Sequence, residues 1–468
     1  MQGCPLNPVP DSADSHTVPG LRLRCLSFVE TLAQSVANIS PTLTPVVIVP
    51  LVFASAGNGT WVAYLIATVG MVFVGANINE FARRAATPGS LYTFVTRGLG
   101  NEAGFVAGWA LVSAYLLSGM AVLAGTVNYA NLLLDAARLH VPPVVLYGLG
   151  AAGVWVIAYR DVRLSTRVML VLEFASMLLI LALGALIMLR RHTGIDAAQF
   201  DFGHMGLTGL RSGLILAVYS FVGYESATTL GDEAHDPHVN IPRSVLWSAL
   251  VSGAFFMVTA YVAVMGFEGL SGSLGDSTAP FDDLARAYGV PWFGLLISAG
   301  AVISLFACTL ASVNAAARII YGMSRQGIFH AQVGRAHRTN QTPHLAVSLC
   351  SLAVFVLPAW LLGQGLGVLD IFNDLSTTAT FGFLVSYLLV SLGAPVLLRR
   401  LGELSAGSLL KTAGALVFLT PPIIATVYPA PAPPADRFPV YFGAWLGLGL
   451  AWYLLQRRGQ PALGVDTR

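Results

Sequence analysis

Apolar stretches of membrane-crossing length, separated by short polar breaks, run through almost the whole chain. A helix of about 20 apolar residues crosses a bilayer core, so the pattern predicts about twelve spans. They fall at residues 26–54, 61–79, 104–134, 144–159, 168–189, from 210 onward, 244–267, 292–323, 346–362, 366–398, 409–428 and 440–455. The predicted fold class is an all-α polytopic membrane protein.

Two of these spans do not read as plain anchors. The first holds Glu30, Gln34, Asn38, Ser40, Thr42 and Thr44 together with Pro41, Pro45 and Pro50. Proline removes a backbone donor and clashes with the preceding turn, so the helix is expected to break at residues 38–42. The sixth runs through Tyr219, Ser220, Phe221, Val222, Gly223, Tyr224 and Glu225 into the acidic, proline-punctuated stretch 232–243. In a bilayer, irregular backbone is tolerated where it lines a polar cavity, and an ionisable side chain there marks a functional site. Interrupted helices at matching places in two halves point to a midplane binding site. Prolines also occur in membrane helices with no ligand nearby, so the first break alone would leave both readings open.

Composition agrees: of 468 residues, 55% are hydrophobic and only 10% charged, too few to solvate a globule of this size. Charge placement adds an orientation. With the amino terminus in the cytoplasm, nineteen of the 25 basic residues fall on the inner side and six, Arg138, Arg190, Arg191, Arg211, Arg286 and Arg437, on the outer. Both termini are then cytoplasmic, in a multi-pass protein of the plasma membrane. The arginines form no basic face, which excludes nucleic-acid binding. Residues 1–25, polar and rich in proline, are expected to be a disordered cytoplasmic tail, with the first span as uncleaved insertion signal and residues 458–468 as a second tail. Cys4, Cys25, Cys308 and Cys350 have no metal-ligand spacing and suggest no disulfide framework.

The candidate chemistry lies in the spans. Glu173, about two turns inside the fifth, is costly there unless protonated or paired; it is either a proton carrier or a partner of Arg163 or Arg167. Glu225 is a proton acceptor, a counter-ion to a cationic group, or a cap for backbone N–H groups freed by the break. Tyr115 in the third span either faces the substrate or packs. Ser304, Thr309 and Ser312 recur at near-helical spacing in the eighth; with carbonyls of the first break, Thr309 and Ser312 could hold sodium, or all three hydroxyls are packing contacts. Asp374 is placed toward an outer vestibule, and residues 280–285 form a short amphipathic piece near its mouth. The chain has no G-x-x-x-x-G-K-[ST] phosphate loop and no paired Cys/His ligands, so neither an enzyme nor a cofactor is expected.

Three ordered motifs carry a family resemblance. They are the aromatic-x-Gly-aromatic-acid run 221–225 with Asp232, Glu233, Pro237 and Pro242, the segment Asn79-Glu80-Phe81-Ala82-Arg83-Arg84 with Pro88-Gly89-Ser90-Leu91-Tyr92, and Val313-Asn314-Ala315-Ala316-Ala317-Arg318 through Tyr321, Arg325, Gly327 and Thr342-Pro343-His344. Together they resemble the sixth, second and eighth helices of the amino acid-polyamine-organocation (APC) superfamily, over roughly residues 26–400. The resemblance implies a LeuT-like fold with two inverted five-helix repeats, about 26–190 and 210–400, and two peripheral helices at 401–457. It also implies a substrate held between the broken helices and a structural role for Asn314 and Arg318 at the cytoplasmic gate, with Asp232, Glu233 and Asp236 as natural partners for its arginines.

An amino acid suits such a site physically: amide groups near Ser40 and Thr42 face a carboxylate, and carbonyls near Tyr219, Ser220 and Phe221 accept from an ammonium. Asn38 belongs to the same contact set, and Phe221 and Tyr224 are expected as gates. Two departures matter. Residues 38–42 replace the family's glycine-serine-glycine run, and Ser176 stands where some sodium-independent members carry a lysine. The expected function is a permease, a symporter importing an amino acid or related amine by alternating access with a proton as coupling ion. Sodium coupling, an exchanger and a non-transporting sensor remain alternatives; the substrate and the oligomeric state stay open.

Overall fold

The prolines of the first apolar stretch decide where its helix stops. In the computed structural model, which describes residues 20–160, 162–191, 195–201, 207–428 and 433–458, a capping box starts α1 (Phe28–Ile39): Ser27 caps the Glu30 amide, and the Glu30 carboxylate accepts from the Ser27 amide at 2.9 Å. A residue before proline disfavours the right-handed helical region. Ser40, before Pro41, accordingly turns left-handed with φ 48° and ends the helix. A single π-helical turn, Thr44–Ile48, resumes the path into α2 (Val49–Ala56), and Gly57–Gly59 reverses it into α3 (Thr60–Ala82).

Beyond it come α4 (Leu91–Leu99), α5 (Asn101–Ala136), α6 (Pro143–Arg160), α7 (Val162–Arg191) and α8 (Leu207–Tyr219). A broken stretch follows, then α9 (Pro237–Phe267), short α10 (Pro280–Ala287), α11 (Pro291–Arg325), α12 (His344–Gly363), α13 (Val368–Arg400), α14 (Ala406–Ala425) and α15 (Phe438–Arg458). Among the described residues ten stretches are long and apolar enough to cross a membrane; the first, 28–82, contains both the break and the reversal, and α8 is a shorter apolar helix. The only strand-like feature described is an isolated pairing of Leu26 with Ala234.

Two details differ from the sequence expectation. The polar break expected between the spans 61–79 and 104–134 contains α4, because Leu91, Phe94 and Val95 recur on one face and bury it. Its Gly98 lies so close to Gly393 of α13 that an added Cβ would stand 2.9 Å from the Gly393 backbone. Residues 20–25, expected to belong to the tail, are ordered: Arg24, Cys25 and Leu26 donate to the carbonyls of Asp232 and Glu233, and His235 donates to Leu26. Residues 1–19 and 459–468 lie outside the described residues.

The ends of α3, α4, α6, α11 and α13 and the start of α9 gather nine arginines, and this end is packed shut. Arg318 of α11 and Glu233 form a two-point ion pair, 2.6 and 3.1 Å, with both side chains about fully buried at 1% and 0% exposure. Ser90 bonds Thr228, Asn79 donates to the Pro242 carbonyl at 2.9 Å, and Tyr92 donates to Gln326 at 2.5 Å. Lys411 of α14 and Arg84 meet Glu80, and Arg84 also pairs with Glu403.

Beside the buried pair, desolvation and then the Glu233 charge push the Asp232 carboxyl above the ordinary range, with Arg325 opposing. An acid raised in the fold destabilises once it ionises, above its folded value, and does not below the unfolded one. Asp232→Asn should therefore raise the melting temperature in detergent at pH 7. That gain should fade as pH falls through the carboxylate range, a comparison that melts at pH 7 and pH 4 would make.

Candidate functional site

The two breaks meet in the interior. Asn38, in the last turn of α1, donates to the Gly223 carbonyl at 3.3 Å, and its own oxygen accepts from Ser312 of α11 at 2.8 Å. Gly223 has φ +87°, which a side chain resists, and a Cβ there would fall 2.0 Å from the Asn38 amide nitrogen. The turns at 220–225 are tight: Phe221, Val222 and Tyr224 donate to the carbonyls of Val218, Tyr219 and Phe221.

Each break carries one buried carboxylate. Glu173 of α7 accepts from the Thr42 amide at 3.0 Å and the Thr42 hydroxyl at 3.1 Å, and also from Ser304 of α11. Ser304 in turn lies 3.0 Å from the Ser40 hydroxyl. The described partners of Glu173 are thus in the break and on α11; the side chains of Arg163 and Arg167, its alternative partners, lie outside the described residues. The amides at Ser40 and Thr42, expected to face a substrate carboxylate, are already engaged, by Val36 and Ala37 carbonyls and by Glu173. Glu225 is held differently: the Tyr115 hydroxyl donates to it at 2.6 Å and the Tyr387 hydroxyl also donates to it. Tyr387 accepts from the Gly223 amide at 3.2 Å, so one phenol serves both acid and break.

The remaining candidates separate. Tyr219 borders a cavity of about 200 Å3 between α2, α8 and α13, in the half away from the arginine-rich end. Its wall is mainly apolar, with Ile48, Leu216, Phe372 and Phe381 beside Asn373 and Ser376. Ser118 and Ser376 lie next to the Tyr219 hydroxyl, yet no hydrogen bond of ordinary geometry reaches that oxygen. Ser220 donates to the Tyr64 hydroxyl at 3.4 Å. Phe221 packs edge-on to Phe256 of α9, centroids 5.1 Å apart, and Tyr224 packs against Tyr387 and Gly75; both lie inside the scaffold and away from that cavity. Thr309 returns its hydroxyl to Leu305 of its own helix, so the structure draws Ser304, Thr309 and Ser312 to three different partners. Ser176 donates to the Gly300 carbonyl. No disulfide joins the described cysteines, and no group of three or more metal-ligating side chains occurs among the described residues.

Sequence reading missed Tyr387, Tyr64, Phe372 and Phe381. Lone aromatics in apolar helices carry no local signal; only the tertiary fold brings them to the breaks.

Residues 31–420 match the amino acid permease family. The chain belongs to that family. This permease is 24% identical over 374 residues to the branched-chain amino acid permease BcaP of Bacillus subtilis, covering 75% of this chain and 76% of that protein. It is 24% identical over 405 residues to the mouse cationic amino acid transporter 4, covering 82% of this chain and 62% of the relative. Its fold is similar to that of MhsT, solved in complex with L-phenylalanine, with a TM-score of 0.60 at 15% identity over 86% of this chain and 99% of the other. The permease is thus a multi-pass membrane protein with a LeuT-like fold, in the APC superfamily, and its relatives are transporters of amino acids and amines.

In this permease, Tyr387→Phe should leave Glu225 with one phenol donor and take from the Gly223 amide the hydroxyl it donates to. A buried group deprived of its partner costs about 1–3 kcal/mol, which a thermal melt in detergent would report as a clear drop. Tyr115→Phe, which orphans no backbone group, should cost less.

Proposed function

We propose that this permease imports a neutral amino acid with an apolar side chain, or a closely related amine, by alternating access coupled to protons. The transport body is then twelve helices in the plasma membrane, with both termini cytoplasmic. Its two inverted five-helix repeats centre on the break at Ser40 and the break at Ser220 to Glu225. The observation that carries this reading is the direct contact of the two breaks through Asn38 and Gly223, because breaks that touch can move together. Closure at the Arg318–Glu233 end, with a cavity in the opposite half reaching Tyr219, suits a carrier that opens on one side at a time.

The substrate class follows from the cavity wall. No carboxylate is among the described residues that line it, and Glu225 is engaged by two phenols, so a second positive charge on the solute would find no partner among them. The branched-chain relative is in keeping with an apolar side chain and the cationic amino acid transporter 4 is not, so the cavity wall carries this choice. The Tyr219 hydroxyl, with Ser118 and Ser376 beside it, supplies polar contacts for the amino acid's head group.

The test is uptake into proteoliposomes of pooled labelled amino acids and polyamines, under an inward proton gradient without sodium. Accumulation of apolar amino acids is expected. Accumulation only of cationic amino acids or polyamines would refute the substrate class. Counterflow without gradient-driven accumulation would identify an exchanger, and binding without any flux a sensor.

A further inference from the structure

Four groups from three parts of the chain form one continuous polar chain at the first break: Ser40, Ser304, Glu173 and Thr42. An ionised carboxylate only accepts. In that state Glu173 takes the Thr42 amide and hydroxyl on one oxygen and the Ser304 hydroxyl on the other. With its proton committed to Glu173, Ser304 can only accept from Ser40. Every donor in the chain therefore points toward the charge.

We propose that Glu173, and not Glu225, is the proton-coupling residue, and that its bare carboxylate clamps the α1 break while proton uptake releases it. The inference rests on the transport reading above. A proton on the oxygen facing Ser304 makes that oxygen a donor; Ser304 must then turn its own proton to Ser40, whose hydroxyl proton loses its acceptor. A proton on the other oxygen meets the Thr42 amide head-on, donor against donor. Either way a donor of the break, the Ser40 hydroxyl in the first case or a Thr42 group in the second, loses the acceptor it has while Glu173 is ionised, next to the left-handed turn at Ser40. One proton enters from solvent and one leaves when the carboxylate reforms, so charge and atoms balance over a cycle.

The surroundings make this switch specific. Among the described residues the titratable neighbour from α11 is the Cys308 thiol, the break offers hydroxyls and amides, and no charged side chain acts on Glu173. A buried carboxylate with no cation beside it can shed its charge by taking a proton. Glu225, by contrast, is tied by two phenols to α5 and α13, which positions the second break.

The test compares gradient-driven accumulation with counterflow in proteoliposomes for wild type, Glu173→Gln, Glu173→Asp and Ser304→Ala. For Glu173→Gln, accumulation should fall by about tenfold or more while counterflow stays within about threefold. Glu173→Asp should keep gradient-driven uptake with a shifted pH optimum. Ser304→Ala removes a donor that favours the charged form, so the pH of half-maximal uptake should rise.

Wild-type accumulation in Glu173→Gln would overturn the proposal. Equal loss of accumulation and counterflow in both Glu173 variants would also overturn it, by showing a purely structural cap. If Glu173→Gln does not fold, an unchanged pH profile in Ser304→Ala is the overturning result and a shifted one the supporting result. Wild type that exchanges but never accumulates sinks the coupling role and leaves transport standing. Wild type with neither flux, beside a working control transporter, sinks the transport reading itself.

Discussion

Alanine at Gly223 is expected to abolish uptake. The backbone there is left-handed, which costs a residue with a Cβ about 1–2 kcal/mol, and the new methyl group would overlap the Asn38 amide, 2.0 Å away. Asn38 cannot yield freely, because its other end holds Ser312 and its carbonyl accepts from Cys308. The break must therefore open where the two helices touch, so Gly223→Ala should bring counterflow close to background. Its melting temperature should fall less than its activity. An alanine variant with normal uptake would show that the Asn38–Gly223 contact is not part of the carrier's moving centre.

Breaking the Arg318–Glu233 pair should have the largest effect on stability. Removing one partner of a buried ion pair strands the other charge at a cost of about 3–5 kcal/mol, and here both side chains are essentially inaccessible. Arg318→Ala and Glu233→Ala should each melt far lower in detergent than wild type. The double change to Arg318→Met and Glu233→Leu should recover much of that loss, since it leaves no uncompensated charge. If the double variant is as unstable as the singles, packing around this gate matters more than its charges. Closure should also suffer, so that Glu233→Ala leaks substrate where wild type holds it.

Much of this architecture could be read from residues alone, for a physical reason. The apolar spans, the prolines at 41, 45 and 50 and the glycine among aromatics at 223 act locally, and each marks a helix or a break on its own. The pairing of Arg318 with an acid near Glu233 also followed from motif and charge. What escaped was set by three-dimensional convergence. Glu173 lies 131 residues from Thr42, and nothing near it in sequence says that it would reach across to the break. Tyr387, 162 residues from Glu225, looks like any aromatic in an apolar helix. The orientation of Phe221 and Tyr224 escaped too, because helical phase is lost once the backbone breaks; both turned inward to α9 and α13.

The central claim is that solute passes between the breaks, over Tyr219. The most direct test is thiol labelling of Tyr219→Cys in proteoliposomes, with and without saturating substrate, compared with the protein lacking the introduced thiol. The account predicts reaction with an impermeant maleimide from the side opposite the arginine-rich end, and strong protection by an amino acid that the protein carries. Labelling at an unchanged rate in the presence of that transported substrate would contradict it.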